Sequence, residues 1–201
     1  MAKKVICLLA EGFEEVEAIT PIDYLRRAGI EVTVAATGPK VREKGLAVTG
    51  SRGIQVCADA AFDSLLSEGK LSPSGWDGVI CPGGGGGADT LAASKETGVF
   101  LREMAAAGKW VCAICASPAR VLSPLGLLSG KKFTCYPGEE AKVLAPLSAS
   151  AGAEWKQDRV VVDGNIITSR GAGTAGEFAC AIIAKLAGEA EAQKLAEKVL
   201  L

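Results

Sequence analysis

The stretch WVCAICASPA, residues 110–119, changes within ten residues from a buried strand to the start of a helix. Pro118 suits the first position of a helix, where a backbone N–H is not needed. Ala113 and Ser117 lie two residues either side of Cys115, and such small side chains permit the strained turn of a nucleophile elbow. An elbow of this kind projects one side chain from the carboxyl edge of a parallel sheet. The stretch therefore predicts an α/β fold with Cys115 at that edge.

Other short apolar runs predict the rest of the sheet. Strands are expected at Val5 to Leu9, Glu31 to Ala36, Gly78 to Cys81 and Trp110 to Ile114. The segments between these runs have helical spacing, and this alternation is typical of parallel strands joined by crossover helices. The sequence therefore predicts a three-layer α/β sandwich, with helices on both faces of a mostly parallel sheet.

Helical spacing and turn residues extend this prediction to both halves of the chain. The first crossover helix is expected to bury four residues spaced three apart, Val16, Ile19, Ile22 and Leu25. Further helices are predicted over Thr90 to Ala107, Phe178 to Leu186 and Glu189 to Leu200. Short extended pieces are expected around Leu46 to Cys57, and Asp163-Gly164 favours a hairpin between Arg159 to Val162 and Asn165 to Thr168. That hairpin would add an antiparallel edge to the sheet.

Composition bounds the possible functions. The 201 residues are 49% apolar, enough to form one ordinary core, so a single domain over 1–201 is predicted. The formal net charge of −1 excludes a broad basic surface, and neither nucleic acid nor a membrane is expected as a partner. The chain has no His, which removes every imidazole base and every His metal ligand. Catalysis would depend on Cys, Glu, Asp, Lys, Tyr or backbone groups, with no metal site.

The start of the chain and its cysteines indicate a compartment. The apolar run that begins at Val5 ends at Glu11, too short for a membrane span or a signal peptide. Seven Cys form an odd set, and most lie in apolar runs, which argues against a secreted disulfide framework. A cytoplasmic protein is predicted, in which most of the cysteines are buried and inert and Cys115 is considered separately.

Cys115 has two competing interpretations besides inert packing. At the elbow its thiol lies near free N–H groups at a helix start, which favour the thiolate. Cys112 and Cys115 also form a Cys-X-X-Cys pair, typical of a dithiol. Because Cys112 belongs to the strand, extended spacing puts the two Cα atoms roughly 10 Å apart, beyond the limit of about 7 Å for a disulfide. A single reactive Cys115 is favoured.

Two further segments lead toward the same sheet edge. The glycine run, Gly83 to Gly87, matches neither the dinucleotide fingerprint in its usual place nor a P-loop, so a structural or oxyanion-donating turn is favoured over nucleotide binding. Four Glu lie within residues 11–17, in the first βα connection. Glu14 and Glu15 suit a helix start, where carboxylates complement the dipole. Burial of Glu17 would raise its pKa and keep it protonated as a hydrogen-bond donor to sulfur.

Four blocks together resemble one known family. They are residues 10–17 with 21–23, the Pro82-Gly83-Gly84 turn, residues 113–118, and Ser169-Arg170-Gly171-Ala172-Gly173-Thr174. In this order they are similar to the DJ-1/ThiJ/PfpI superfamily, especially its DJ-1-like bacterial members. The resemblance implies a flavodoxin-like α/β sandwich that forms a homodimer and needs no cofactor.

The resemblance also assigns roles to residues. It implies that Cys115 is the nucleophile and that Glu17 is its hydrogen-bond donor and proton shuttle. The amides of Gly84 and Ala116 would form an oxyanion hole. Arg52 corresponds to an arginine near the dimer interface and the mouth of the active site. Cys57 matches an interface cysteine.

The chain departs from the family pattern at Tyr136, where many relatives carry a His near the reactive Cys. Without that His, Cys–His peptidase chemistry is not expected, and Tyr136 is interpreted as a pocket residue or a hydrogen-bond donor. Two functions stay open. One is a glyoxalase-like or deglycase-like enzyme, a lyase or hydrolase for small α-oxoaldehydes or their protein adducts. The other is a redox sensor in oxidative stress whose Cys115 oxidises to sulfinate.

Overall fold

The computed structural model describes residues 2–145 and 148–201, so Met1, Pro146 and Leu147 of the predicted 1–201 domain lie outside the described residues. A seven-stranded sheet forms the centre of the molecule, with strand order β10-β11-β7-β6-β1-β2-β5. Its strands are β1 (Lys4–Ala10), β2 (Glu31–Thr37), β5 (Ala60–Ala61), β6 (Gly78–Cys81), β7 (Trp110–Ile114), β10 (Val160–Asp163) and β11 (Ile166–Ser169). Two small sheets pair β3 (Ala47–Thr49) with β4 (Gln55–Cys57), and β8 (Lys132–Phe133) with β9 (Glu154–Trp155).

The predicted topology is confirmed. Neighbouring strands of the large sheet run parallel except β10, which pairs antiparallel with β11 at one edge. The predicted hairpin is present, but its turn lies one residue later than the Asp163-Gly164 signal indicates, at Gly164-Asn165. The short extended pieces expected between residues 46 and 57 are the antiparallel pair β3 and β4.

Helices cover both faces of the sheet. They are α1 (Glu15–Arg27), α2 (Val41–Lys44), α3 (Phe62–Ser67), α4 (Gly85–Ala93), α5 (Lys95–Ala106), α6 (Glu140–Val143), α7 (Ala175–Ala187) and α8 (Glu189–Val199). Short 3₁₀ turns occur at Pro73–Gly75 and Ala172–Thr174, and one π-helical turn spans Pro118–Leu122. Side chains of α3, α4 and α5 pack on one face, and those of α1, α7 and α8 pack on the other.

The alternation of side chains along β1 explains the two cores. Ile6 and Leu8 point into the core that contains α5, whereas Cys7 and Leu9 point into the core that contains α1 and α7. Successive side chains of a strand face opposite sides of a sheet, so an unbroken apolar strand needs cover on both sides. The three-layer sandwich follows from this requirement.

The predicted buried face of α1 is confirmed for Ile22 and Leu25 and is wrong for Val16 and Ile19. Val16 is 47% exposed and Ile19 is 39% exposed, whereas Glu17, Ala18 and Ile22 are buried. A helix has 3.6 residues per turn, so residues spaced three apart drift about 60° at each step and cannot all share one face. The buried positions follow a mixed spacing of three and four, and one of them is a carboxylic acid.

The predicted single helix over residues 90–107 is also wrong. Ser94 has an extended backbone, with φ −81° and ψ 114°, and its hydroxyl accepts a hydrogen bond of 3.1 Å from the amide of Thr97. This N-cap starts α5, and the glycine run itself forms the beginning of α4. In the described part of the chain, no helix is long and apolar enough to cross a membrane.

Candidate active site

The elbow lies where the sequence predicts it. Cys115 follows β7 directly and has φ +65°, and among the described residues only Leu200 shares this left-handed geometry without being Gly. The Cys115 amide donates to the carbonyl of Ser169 at 2.9 Å, and its carbonyl accepts from the amide of Tyr136 at 2.8 Å. A left-handed residue with a side chain costs roughly 1–2 kcal/mol, so these bonds hold a strained turn in place.

Glu17, in the first turn of α1, contacts Cys115. Its side chain is 1% exposed, and the Gly83 amide donates to Oε2 at 3.0 Å. The backbone of Ala172 also donates to the carboxyl, and the thiol of Cys115 is its side-chain partner. Glu14 caps α1 by accepting from the amide of Glu17 at 2.8 Å, which orients the first turn of the helix. Three distant segments therefore meet at one carboxyl group.

The first two glycines of the run make this approach possible. A Cβ added at Gly83 would overlap the Glu17 carboxyl and would lie 2.5 Å from the Cβ of Cys115. Gly84 has φ +86°, and a Cβ there would overlap the backbone next to Phe13. Only glycine allows these backbones to pack so closely.

The environment changes the pKa of both groups. Burial raises the pKa of Glu17 to about 7, although hydrogen bonds from Cys115 and from the Gly83 backbone oppose the rise. The acid is therefore poised to exchange a proton near neutral pH. The pKa of Cys115 is raised to about 12, mainly by burial and secondly by the negative charge of Glu17.

The prediction that the elbow lowers the pKa of the Cys115 thiol is therefore wrong when Glu17 is ionised, because the pKa is raised. The backbone amides of Gly84 and Ala116 do lower the pKa of Cys115, as a helix start should. Burial outweighs them, because a thiolate loses more solvation than two N–H groups return. The site needs a base to take the thiol proton, and Glu17 is the group in contact with it.

Gly84 and Ala116 both direct backbone amides at the Cys115 thiol, and their role as an oxyanion hole stays a prediction. One amide comes from the glycine turn and the other from the residue after the elbow, and both act on the sulfur. An oxygen formed on a carbon bonded to this sulfur would be adjacent to the same donors.

Tyr136 lies beside the elbow. Its side chain is 54% exposed, and its amide bonds to the backbone of Cys115. A Cβ added at Gly171 would lie 3.6 Å from both the Tyr136 ring and Oε1 of Glu17. Tyr136 and Gly171 therefore both lie close to the acid, and the pocket role of Tyr136 stays a prediction.

Arg52 is not joined to the cysteine. Its amide donates to Oε1 of Glu15 at 2.6 Å, and its guanidinium donates to the carbonyl of Ser51 at 3.3 Å. Glu15 is buried and also accepts from the amide of Ile54. The prediction that Glu15 only complements the helix dipole is wrong, because its carboxylate anchors the loop that carries Arg52.

The cysteines differ in exposure. All seven are free; Cys7, Cys81, Cys112 and Cys135 are buried, Cys115 and Cys180 are partly buried, and Cys57 is exposed. Cys112 belongs to β7 as predicted and packs in the core beside α7. The prediction that most of the cysteines are buried is confirmed by the buried four, whereas Cys57 is exposed and Cys180 is partly buried.

Sequence reasoning missed several supporting groups. Ser117 was considered only for its size, yet its buried hydroxyl donates to the carbonyl of Pro82 and ties the elbow to the glycine turn. The amides of Gly83 and Ala172 carry no side-chain signal in the sequence. Among the described residues, no group of three or more His, Cys, Asp or Glu side chains is arranged to hold a metal ion.

Comparison with known proteins agrees with this geometry. The model of the DJ-1/PfpI family matches residues 3–185. The chain belongs to the DJ-1/PfpI family. Its sheet and helices have the flavodoxin-like arrangement of the solved DJ-1 structures.

Individual members of the DJ-1/PfpI family are similar over most of the chain. Drosophila melanogaster dj-1beta is 39% identical over 202 residues, which cover 100% of this chain and 98% of that protein. Its crystal structure superposes with a TM-score of 0.86, covering 100% of this chain and 99% of that chain. A Pyrococcus horikoshii deglycase is 36% identical over 167 residues, which cover 83% of this chain and 89% of the relative.

A structure described as oxidized DJ-1 of Toxoplasma gondii superposes with a TM-score of 0.85 at 37% identity, covering 99% of this chain and 98% of that chain. The chain spans less than half the length of two Arabidopsis thaliana relatives, at 41% and 46%.

Proposed function

We propose that the protein is a cofactor-independent enzyme for small α-oxoaldehydes, or for the adducts that they form with proteins, with Cys115 as nucleophile and Glu17 as proton carrier. The observation that carries the proposal is the contact between the strained Cys115 and a buried acid whose pKa is about 7. The Pyrococcus horikoshii relative named as a deglycase supports the choice of substrate class.

The first step is addition. The sulfur of Cys115 attacks the aldehyde carbon while the Glu17 carboxylate takes the thiol proton. Negative charge develops on the aldehyde oxygen, next to the amides of Gly84 and Ala116, which stabilise it. Glu17 then gives its proton to that oxygen, which completes a hemithioacetal and regenerates the carboxylate.

The next steps move hydrogen between two carbons. The Glu17 carboxylate removes the proton from the former aldehyde carbon and passes it to the ketone oxygen, which gives an enediol. It then takes the proton of the hydroxyl on the former aldehyde carbon and passes it to the neighbouring carbon, leaving a thioester of a 2-hydroxy acid. Water then hydrolyses the thioester and releases the hydroxy acid and the thiol. In sum, one oxoaldehyde and one water give one 2-hydroxy acid, without net oxidation and without a redox cofactor.

The test is conversion of methylglyoxal to lactate by the purified protein and by Cys115→Ser. The variant is expected to lose the activity, whereas Cys57→Ser, which changes an exposed cysteine on β4, is expected to retain it. Equal rates for Cys115→Ser and the unaltered protein would refute the proposal. If the protein converts a preformed protein adduct of methylglyoxal faster than it converts free methylglyoxal, the adduct is assigned as the substrate.

One observation favours a second function, a redox sensor. The site holds backbone donors and a protonatable acid around a partly exposed sulfur, and a solved structure of Toxoplasma gondii DJ-1 is described as oxidized. Two equivalents of peroxide would convert the thiol to a sulfinate with release of two waters. Peroxide treatment followed by peptide mass spectrometry is expected to modify Cys115 before Cys57. Equal modification of both would count against this function.

The proposed assembly is a homodimer. Val16 and Ile19 leave an apolar strip exposed on α1, beside the loop with Ile54, which is 58% exposed. Such a patch is typical of a protein interface. Ile19→Glu is expected to shift the sedimentation coefficient to that of a monomer, whereas Val99→Glu, at an equally exposed position on α5, is not. A monomeric unaltered protein would contradict this proposal.

A further inference from the structure

Arg120 lies in the π-helical turn after the elbow and is shared by two carboxylates. Its Nε and Nη2 donate to the two oxygens of Glu139 at 3.1 and 2.7 Å, a fork that matches the carboxylate plane. Its Nη1 donates to both oxygens of Asp89 at 3.1 Å and to the carbonyl of Gly85 at 3.5 Å. One guanidinium thus contacts three different residues beyond its own turn.

These partners lie in the two segments that border Cys115. Gly85 follows Gly84, whose amide acts on the sulfur, and Asp89 lies one turn further along α4. Glu139 is held to Tyr136 by a backbone bond of 3.0 Å, and Tyr136 in turn bonds to the backbone of Cys115. The guanidinium therefore joins the elbow, the glycine turn and the segment that carries Tyr136.

The elbow itself lacks the support of a regular helix. Residues 118–122 form a π-helical turn, in which the amide of Ser123 bonds back to the carbonyl of Pro118. Such turns are rare and occur mostly at functional sites. A left-handed cysteine followed by a π turn is a geometry that tertiary contacts must maintain.

The burial of the Arg120 pair makes it an effective constraint. The side chains of Arg120 and Glu139 are 25% and 15% exposed, and Lys142 adds a second cation to Glu139 at 2.7 Å. The side chain of Asp89 is 65% exposed and contributes less. Hydrogen bonds from Arg120 lower the pKa of Glu139 to about 2, although burial opposes this shift. Arg120 and Glu139 therefore both stay charged throughout the neutral pH range.

We propose that Arg120 is a positioning residue that holds the glycine turn and the Tyr136 segment against Cys115, and so keeps the Gly84 amide aligned for the reaction. The inference rests on the proposed function only in treating Cys115 as the reacting group. Arg120 touches neither the thiol nor its acid, so its effect passes through the backbone segments that it joins.

The test compares Arg120→Met with Arg26→Met, a matched control. Arg26 also bridges a carboxylate and a carbonyl, those of Asp59 at 3.0 Å and Val32 at 2.9 Å, but near the opposite end of α1 from Glu17. Amide hydrogen exchange is measured for peptides that cover residues 83–93 and 133–143. Arg120→Met is expected to speed exchange in both peptides about fivefold or more, because a charge-assisted contact to each is lost. Arg26→Met is expected to leave both unchanged.

Kinetics give the second readout. In methylglyoxal conversion, Arg120→Met is expected to lower kcat about tenfold with little change in KM, because the Gly84 amide, which stabilises the developing oxyanion, is displaced. Arg120→Lys, which keeps the charge without the fork, is expected to give an intermediate kcat.

The outcomes separate the two proposals. If the unaltered protein has no Cys115-dependent activity, the proposed function fails, and hydrogen exchange alone decides the role of Arg120. Unchanged exchange in both peptides, or equal changes in Arg26→Met, would overturn the positioning role. If Arg120→Met does not fold, Glu139→Gln replaces it, and faster exchange confined to residues 133–143 is the expected result.

Discussion

Glu15 and Glu17 lie two residues apart in the first turn of α1, and both are buried, yet their carboxyl groups have opposite properties. Burial opposes the charge of each. At Glu15, hydrogen bonds from the backbone of Arg52 and Ile54 and from the hydroxyl of Ser51 outweigh burial and hold the pKa below its usual range. At Glu17, burial prevails and raises the pKa to about 7.

The difference lies in what surrounds each carboxyl. Glu15 faces a loop whose donors converge on it, and a Cβ added at Gly50 would overlap its carboxyl group. Glu17 faces a thiol, and the charge of Glu14 opposes its ionisation further. A buried acid thus anchors a loop when its hydrogen bonds outweigh burial, and carries a proton when burial outweighs its hydrogen bonds. The predictions that follow test this contrast.

The largest effect is expected on activity. Glu17→Gln is expected to slow Cys115-dependent conversion of methylglyoxal by about 100-fold or more, because an amide cannot accept the thiol proton. Glu15→Gln is expected to change the rate by less than about fivefold. Steady-state kinetics of both variants at neutral pH measure the contrast. An equal loss in the two variants would mean that Glu17 acts only through structure.

The next effect is the pH dependence of stability. The pKa of Glu17 is raised from 4.5 to about 7 in the folded state, so its contribution is present at low pH and is lost as pH rises through about 7. The loss amounts to roughly 3 kcal/mol, since one pKa unit corresponds to about 1.4 kcal/mol. Urea unfolding between about pH 5 and pH 9 is expected to show this fall in the unaltered protein and a flatter profile in Glu17→Gln.

Glu15 is expected to control the acid side. Its lowered pKa contributes stability above the usual carboxyl pKa, and that stability is lost as pH falls below about 4.5. Glu15→Gln should therefore reduce the loss of stability below about pH 4.5 and leave unchanged the loss near pH 7 that is due to Glu17. If Glu15→Gln instead removed the loss of stability near pH 7, and Glu17→Gln removed the loss at acid pH, the assignment of the two acids would be contradicted.

A steric test of the Glu17 side should have a somewhat smaller effect. Gly83→Ala is expected to destabilise the protein by about 1–3 kcal/mol and to displace Glu17, since the new methyl group overlaps the carboxyl. Gly86→Ala is the control, because its Cβ would have only ordinary contacts, the nearest at 3.5 Å. Thermal unfolding of the two variants is the measurement, and equal stability would show that the Gly83 backbone can move away.

The smallest effect is expected on the Glu15 side. Ser51→Ala removes one donor, a hydroxyl 3.2 Å from Oε2 of Glu15, and is expected to cost about 1 kcal/mol without changing activity. Ser67→Ala, which removes an exposed hydroxyl bond to the carbonyl of Ser64, is expected to cost less. Chemical unfolding at pH 7 compares the two. A larger loss at Ser67 would show that the loop does not depend on Glu15.

Local sequence signals predicted much of the fold. The bounds of β6 and β7 agree to the residue, and the expected hairpin is present with its turn one residue later. These signals worked because apolar runs and turn residues act over a few neighbours. Part of the face of α1 and the break at Ser94 were missed, because packing partners and an N-cap decide them.

The candidate site was predicted in its residues but not in its electrostatics. Cys115 and Glu17 were expected to meet, and they do. A low-pKa thiol was also expected, but burial reversed the direction of its pKa. Arg120 carried no motif, because its role depends on partners 31 and 19 residues away in the chain.

The sequence by itself determined the α/β alternation and the elbow at Cys115, since both depend on the size and polarity of adjacent residues. Only the tertiary structure decided that Glu15 would anchor a loop and Glu17 would hold a proton, although both are glutamates in one helical turn. The physical reason is that a pKa depends on solvent exclusion and on donors from distant segments, and the fold alone brings these together.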